Sequence, residues 1–123
     1  MVLTARAENH LRGITDLHDT IARLVAYRDA GADVVYAPGL VALADIEAVV
    51  RAVGVPVNVL ALRTGPSTAE LASVGVRRVS TGGSLARVAY GALMAGAREL
   101  LDSGTSNYTT QGVAPADLTK AFS

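Results

Sequence analysis

The chain has 123 residues, of which 50% are hydrophobic and only 4% aromatic, and its 11 basic residues balance its 11 acidic ones. This length suffices for one domain with its own core, but not for two ordinary domains. A net charge of zero argues against an electrostatic nucleic-acid binder, since such domains normally carry an excess of basic residues. A core built from Ala, Val and Leu suits helices that pack closely on a parallel sheet.

Further classes are excluded by what the sequence lacks. It contains no cysteine, which rules out disulfides, thiolate catalysis and thiolate metal sites. No apolar run approaches the roughly 18 residues that a membrane span needs. No basic segment followed by an apolar one opens the chain, as it would in a signal peptide. We therefore expect a cytoplasmic protein that does not bind membranes.

The first half of the chain predicts two strands, each followed by a helix. The first strand covers residues 2–6, and the helix after it begins near Asp16, which can cap its first turn, and ends near Gly31. The second strand covers residues 32–37 and the second helix residues 41–53. The inward positions of that helix are expected to be Leu43, Ile46, Val50 and Val53.

The second half repeats this order. A third strand is predicted over residues 56–61, and Ser67 and Glu70 have the spacing of a capping box that opens a short helix. A fourth strand covers residues 77–81, and a long helix follows over residues 84–101. Strand and helix thus alternate four times, which is typical of parallel β/α units with right-handed crossovers. We predict an α/β fold of four consecutive β/α units.

Functional groups in such a sheet collect at the C-terminal ends of the strands. Arg6 ends the first strand, where its guanidinium can make two hydrogen bonds to a carboxylate or phosphate. Alternatively it is a structural arginine paired with Glu8. Glu8 is interpreted as an ion-pair partner in preference to a base.

The third and fourth strands also end in polar residues. Asn58 interrupts an apolar strand, and because a buried amide needs a partner, it either holds a loop or points to a ligand oxygen. Ser80 and Thr81 end the fourth strand, and Ser80 lacks the context of a nucleophile. The turn Gly82-Gly83 precedes a helix and could hold an anion, but a simple turn with Ser84 as helix cap is preferred.

No catalytic residue or metal-ligand set is identified in this chain. His10 and His18 have no second His or Cys at ligand spacing, so we expect both to be surface residues. Glu8 is the only acid at the predicted strand ends, whereas a magnesium site needs carboxylates.

Five segments together resemble one known family, and they are residues 2–9, 17–24, 30–40, 56–59 and 75–80. The first (VLTARAEN) is similar to the strand that reads ARTD in the phosphoenolpyruvate mutase/isocitrate lyase superfamily. The second (LHDTIARL) is similar to that family's DLDDTIARL stretch. The other three follow in the expected order, so the resemblance covers essentially the whole chain.

The resemblance implies a (β/α)8 barrel in which residues 1–104 supply strands five to eight. Residues 105–123 would then form a polar linker and a short C-terminal helix. The family exchanges a helix between subunits of dimers and tetramers, and the long helix from Ser84 with the polar linker after it would suit that exchange. The alternative is that this helix is the barrel's own outer helix, followed by a loose tail. The resemblance also implies a homodimer or tetramer, or an N-terminal half that complements this one.

The implied function is that of a Mg²⁺-dependent lyase or mutase acting on small 2-oxo or 2-hydroxy carboxylic acids through an enolate, with C–C or P–C bond chemistry. Arg6 would bind the substrate's carboxylate or phosphonate. Asn58 would line the same pocket. Glu8, Ser80 and Thr81, which lie at the predicted strand ends, are the further candidates for substrate binding. The family's magnesium ligands and catalytic loop belong to its first half, so whether this chain is an enzyme by itself stays open.

Two departures from the family bear on the substrate. Glu8 stands where the family usually has Asp, and Tyr36-Ala37-Pro38-Gly39 stands where methylisocitrate-cleaving members carry Phe-Pro-Glu. The chain is therefore more similar to carboxyvinyl-carboxyphosphonate phosphorylmutase-like or oxaloacetate-decarboxylase-like members. Two alternatives remain: a non-catalytic half-barrel that assembles with itself or a partner fragment, and a flavodoxin-like domain that binds an anion at Gly82-Gly83.

Overall fold

The computed structural model describes residues 1–123 and contains one sheet of four parallel strands. The strands are β1 (Thr4–Arg6), β2 (Val34–Tyr36), β3 (Val57–Leu60) and β4 (Arg78–Ser80). They lie side by side in sequence order. The predicted parallel β/α units are confirmed, although each strand is two or three residues shorter than the apolar run that predicts it.

Helices follow every strand. They are α1 (Leu17–Asp29), α2 (Leu43–Val53), α3 (Thr68–Ser73), α4 (Ser84–Ser103) and α5 (Pro115–Ala121). Two short 3-10 helices, His10–Arg12 and Asn107–Gln111, lie outside the predicted strands and helices, and the second lies in the predicted polar linker. Such turns are too short to show an apolar period, so the pattern does not reveal them. No helix combines the length and the apolar character needed to cross a membrane.

Side-chain caps start two of these helices as predicted. The Asp16 carboxylate accepts a hydrogen bond from the amide of Asp19 at the start of α1. Ser67 and Glu70 form a complete capping box at the start of α3. Each cap satisfies amides that have no partner within the helix, and this fixes where the helix begins.

Two predicted caps are one residue out of place. The C-cap of α1 is Ala30, and Gly31 follows it in the left-handed conformation with φ +99°. The N-cap of α4 is Gly83, so Ser84 is the first helical residue and does not occupy the cap position. In both cases the residue immediately before the predicted one, Ala30 or Gly83, occupies the cap position.

The core of the sheet-containing part lies between α1, α2 and α3 and one face of the sheet. Because side chains alternate along a strand, Val35, Val57 and Val59 point into this core, where each is at most 6% exposed. The helices contribute Leu24, Ile46 and Leu71, each at most 1% exposed.

The inward face of α2 differs slightly from its prediction. Ile46 and Val53 are buried as expected, but Val49 is also buried, whereas Leu43 and Val50 are only partly buried. The helix is therefore rotated so that Val49 faces the sheet more directly than the sequence pattern suggests.

The chain divides into two compact units, Met1–Gly82 and Gly83–Ser123. The first holds the sheet with α1, α2 and α3. The boundary predicted at residue 104 is of another kind, because it marks the end of a half-barrel and not the end of a compact unit. It stays a prediction.

Within the second unit, α4 packs against the 3-10 helix that follows it. The ring of Tyr108 lies so close to Gly96 that a Cβ there would be 3.1 Å from Tyr108 Cγ. The Glu99 carboxylate accepts hydrogen bonds from the Thr105 hydroxyl and from the amides of Asn107 and Tyr108. These bonds, that from Thr105 foremost, lower the pKa of Glu99.

Candidate functional site

One row of the sheet carries polar side chains on the face opposite the core. The row runs through Arg6, Tyr36, Asn58 and Arg78, which are successive partners in the parallel register. Partners in neighbouring strands point to the same side of a sheet. Each of the four strands therefore contributes one side chain of this row to the same face.

This face encloses a cavity of about 450 Å³. The cavity is lined by the four residues of the row and by Thr4, Leu60, Ser80 and Gly82. Arg78 on β4 donates from Nη1 to the hydroxyl of Thr4 on β1 at 2.9 Å. On a flat sheet the first and fourth strands would be about 14 Å apart, so the bond requires the sheet to curve around the cavity.

Arg6, the last residue of β1, lines the cavity and also forms an ion pair. Its Nη2 lies 2.7 Å from Oε1 of Glu8, and 50% and 43% of the two side chains are exposed. Its guanidinium carbon lies 5.2 Å from the centre of the Tyr36 ring. Water screens an exposed pair of this kind, so it contributes little to stability. The predicted ion pair with Glu8 therefore exists, and it leaves Arg6 accessible from the cavity.

Asn58 is the buried polar group of the row, with 3% of its surface exposed. Its Nδ2 donates to the Ser80 hydroxyl on β4 at 3.0 Å, so the amide bonds to a neighbouring strand. Its Oδ1 is buried and has no hydrogen-bond partner. Leaving such an acceptor unsatisfied costs about 1–3 kcal/mol. Asn58 is thus the lining residue that gains most from a hydrogen-bond donor in the cavity.

Five of the eight lining residues are not among the predicted site residues, and Arg78 is the charged one of these five. It stands two positions before Ser80 on the same strand, so strict alternation places the two side chains on one face. That signal was present in the sequence. Recognising its importance also requires the register, which sets Arg78 beside Asn58.

The structure brings together three of the five predicted site residues. Arg6, Asn58 and Ser80 line the cavity. Glu8 contacts Arg6 without belonging to the lining, and Thr81 is exposed beyond the end of β4 and outside the lining. Whether these five residues contact a substrate stays a prediction.

Hydrogen bonds hold the loop after β1 to the start of α1. Asn9 is buried and donates from Nδ2 to the hydroxyl of Thr20, which in turn donates to the backbone oxygen of Asp16 at 2.8 Å. The prediction that His10 is a surface residue is wrong, because it is half-buried and its Nε2 is buried without a partner. It packs against Gly39, where φ is +93° and a Cβ would lie 3.2 Å from His10 Cβ.

The donor set of this chain does not fit a magnesium ion. Nowhere do three or more His, Asp or Glu residues come close enough to hold a metal. The cavity lining contains two guanidiniums and no carboxylate, and Glu8 is engaged by Arg6. Magnesium requires carboxylate or phosphate oxygens, which these residues do not supply.

The family model described as phosphoenolpyruvate phosphomutase matches residues 1–101. The chain belongs to this family. The resemblance to the phosphoenolpyruvate mutase/isocitrate lyase superfamily is thereby confirmed. No curated protein gives a significant match to the chain.

Solved structures agree with this assignment. A provisionally assigned lyase/mutase from Burkholderia cenocepacia J2315 is 54% identical, with a TM-score of 0.88 over 99% of this chain and 45% of its own. A provisionally assigned phosphonomutase from the same organism is 36% identical, with a TM-score of 0.73 over 80% of this chain and 42% of its own. The 2,3-dimethylmalate lyase, a PEP mutase/isocitrate lyase superfamily member, is 25% identical, with a TM-score of 0.77 over 97% of this chain and 42% of its own.

This chain therefore spans less than half the length of the solved structures that it matches. Its four β/α units are consistent with part of a (β/α)8 barrel.

Proposed function

We propose that this chain forms the anion-binding side of the active site of a lyase or mutase. The substrates are small 2-oxo or 2-hydroxy carboxylic acids, and the reaction breaks or rearranges a C–C or P–C bond by way of an enolate. One observation carries the proposal: the row of the sheet that places two guanidiniums and a buried amide around a single cavity.

Each predicted residue has a role in this proposal. Arg6 binds the carboxylate or phosphonate of the substrate, since a guanidinium can make two parallel hydrogen bonds to either group. Glu8 holds Arg6 in place through the ion pair. Asn58 and Ser80 bind substrate oxygens from the wall of the cavity, and Thr81 lies at its rim.

The solved relatives support this class of substrate. One is 2,3-dimethylmalate lyase, and another is oxaloacetate acetylhydrolase in complex with its product oxalate, which is 27% identical to this chain. Dimethylmalate, oxaloacetate and oxalate are all small carboxylic acids. A cavity lined by arginines and free of carboxylates suits such anions.

We further propose that the reaction depends on Mg²⁺ and that the ion takes its ligands from outside these 123 residues. The absence of a fitting donor set in this chain motivates the second part. The chain's own contribution is to bind and orient the anionic end of the substrate.

A chimera tests the proposal. Residues 1–123 replace the matching 45% of the Burkholderia cenocepacia lyase/mutase chain, and turnover of oxaloacetate, methylisocitrate and phosphonopyruvate is measured with Mg²⁺. We expect turnover of at least one substrate. Arg6→Gln should lower kcat/KM about 30-fold or more, which corresponds to about 2 kcal/mol.

The matched control is Arg51→Gln. Arg51 also forms an exposed ion pair with a glutamate, Glu47, but it lies on α2 away from the cavity. We expect its kcat/KM to stay unchanged. A folded chimera without activity on any of the three acids, or equal kinetics for Arg6→Gln and the parent, contradicts the proposal.

The assembly is a separate proposal. We infer that residues 1–104 form half of a barrel, that a complementing half covers the cavity face, and that α4 is exchanged between the subunits of a dimer or tetramer. The support is the exposure of apolar side chains along α4, which include Leu85, Val88, Leu93, Met94 and Leu101. Light scattering on the chimera should show a dimer or tetramer, and a monomer at every concentration contradicts this proposal.

A further inference from the structure

The two arginines of the row differ in what balances their charge. Arg6 has Glu8 at 2.7 Å. Arg78 forms no ion pair within this chain, and the side chain that it contacts is the neutral hydroxyl of Thr4. In the cavity, the positive charge that lacks a counter-charge is therefore that of Arg78.

The bond to Thr4 fixes the position of Arg78 without neutralising it. A guanidinium has five N–H donors, and the bond at 2.9 Å to Thr4 uses one of them. The others remain available to a ligand. Because its partner is neutral, the charge of Arg78 stays uncompensated, and the bond to Thr4 orients it for an anion.

A second observation points to a ligand at the same place. Asn58 lies beside Arg78 in the register, is 3% exposed and carries the unpartnered Oδ1. This oxygen accepts hydrogen bonds, so it calls for a donor such as a hydroxyl group. A ligand that satisfies the row has anionic groups for the arginines and a hydroxyl for Asn58.

We propose that Arg78 is a second anion-binding residue, positioned by Thr4, and that it selects 2-hydroxy acids with a second anionic group over those with one. This inference rests on the proposed function insofar as Arg6 binds the first carboxylate. It assigns to Arg78 the choice between mono- and dianionic ligands.

The test compares malate with lactate, which differ by one carboxylate. Binding of each acid to the chimera described above is measured by calorimetry at low ionic strength, without added Mg²⁺. We expect malate to bind about tenfold or more tightly than lactate. Arg78→Gln should abolish this preference, because it lowers the affinity for malate much more than the affinity for lactate. Arg78→Lys should keep part of the preference, because the charge remains and the paired donors are lost.

Thr4 is tested as a positioning residue. Thr4→Val removes the hydroxyl at nearly constant volume and should reduce the preference for malate, because the affinity for malate falls more than the affinity for lactate. Thr4→Ser should restore the preference. Circular dichroism of each variant shows whether its fold is intact.

Arg6→Gln separates this inference from the proposed function. It should weaken the binding of both acids. If it does so while Arg78→Gln keeps the preference for malate, the role of Arg78 is refuted and the role of Arg6 stands. If Arg6→Gln changes neither affinity while Arg78→Gln abolishes the preference, the role of Arg6 is refuted and the role of Arg78 stands. A parent chimera that binds the two acids equally, or binds neither, overturns the inference about Arg78.

Discussion

The two faces of the sheet are built from alternate residues of the same short strands, yet they differ in almost every property. The face toward the helices carries Val35, Val57 and Val59, all nearly inaccessible to water. The opposite face carries a row of two arginines, a tyrosine and an asparagine around an open cavity. A change of one position along a strand therefore moves a residue from the core to the candidate site.

This difference separates stability from chemistry. Burying a Val or Leu side chain stabilises a fold by roughly 1.5–3 kcal/mol. The exposed pair of Arg6 and Glu8 contributes about 0–1 kcal/mol, and the unsatisfied oxygen of Asn58 opposes folding. Substitutions on the core side should therefore unfold the chain, whereas those on the cavity face should change what it binds.

The largest effect is expected in the core. Leu24→Ala removes a side chain that is 0% exposed and packed among the helices and the sheet, and it should lower the free energy of unfolding by about 2–5 kcal/mol. Denaturation in urea measures the change. Leu62→Ala is the matched control, since Leu62 is 40% exposed, and it should cost less than about 1 kcal/mol. An equal decrease in the free energy of unfolding for the two variants would show that Leu24 does not belong to the stabilising core.

The core side was the more predictable one. Apolar runs located all four strands, and the spacing of Ser67 and Glu70 located the start of α3. These signals are local, since a strand or a cap depends on residues a few positions apart. The caps predicted at Gly31 and Ser84 are each one residue away from the observed ones, so such signals locate a helix end to within about one residue.

The cavity face was predicted only in part, because it depends on how strands pair. Arg6 and Asn58 could be chosen from their positions at or near strand ends, and both line the cavity. Arg78 is the first residue of its strand, and only the register and the curvature of the sheet bring it to Asn58 and Thr4. The close approach of His10 to Gly39 likewise joins residues that are distant in sequence.

A smaller effect is expected at Asn58. The double variant Asn58→Leu with Ser80→Ala removes both partners of one hydrogen bond together with the unsatisfied Oδ1. Replacing both partners by apolar groups can be neutral or stabilising, so we expect the free energy of unfolding to stay within about 1 kcal/mol of the wild-type value or to rise. Calorimetry should show that binding of malate is lost. A loss of stability above about 2 kcal/mol would mean that the amide serves the fold, and the contrast between the faces would weaken.

The smallest effect concerns a charge that lies outside both faces. Glu70 is exposed at the start of α3, and the hydrogen bond from the Ser67 hydroxyl, followed by that from the Ser67 amide, lowers its pKa below the ordinary value of 4.5. A lowered pKa in the folded state stabilises the fold above the unfolded pKa, and this contribution disappears as the pH falls through the folded one.

Glu70→Gln should therefore reduce stability slightly at neutral pH and make the urea midpoint less sensitive to acid between about pH 5 and pH 3. Ser67→Ala should act in the same direction, because it removes the bond that contributes most to the shift. Binding of malate should be unchanged in both variants, since α3 contributes no residue to the cavity lining. An acid dependence equal to that of the wild type would refute the role of the capping box, and altered malate binding would show that charges far from the cavity also act on it.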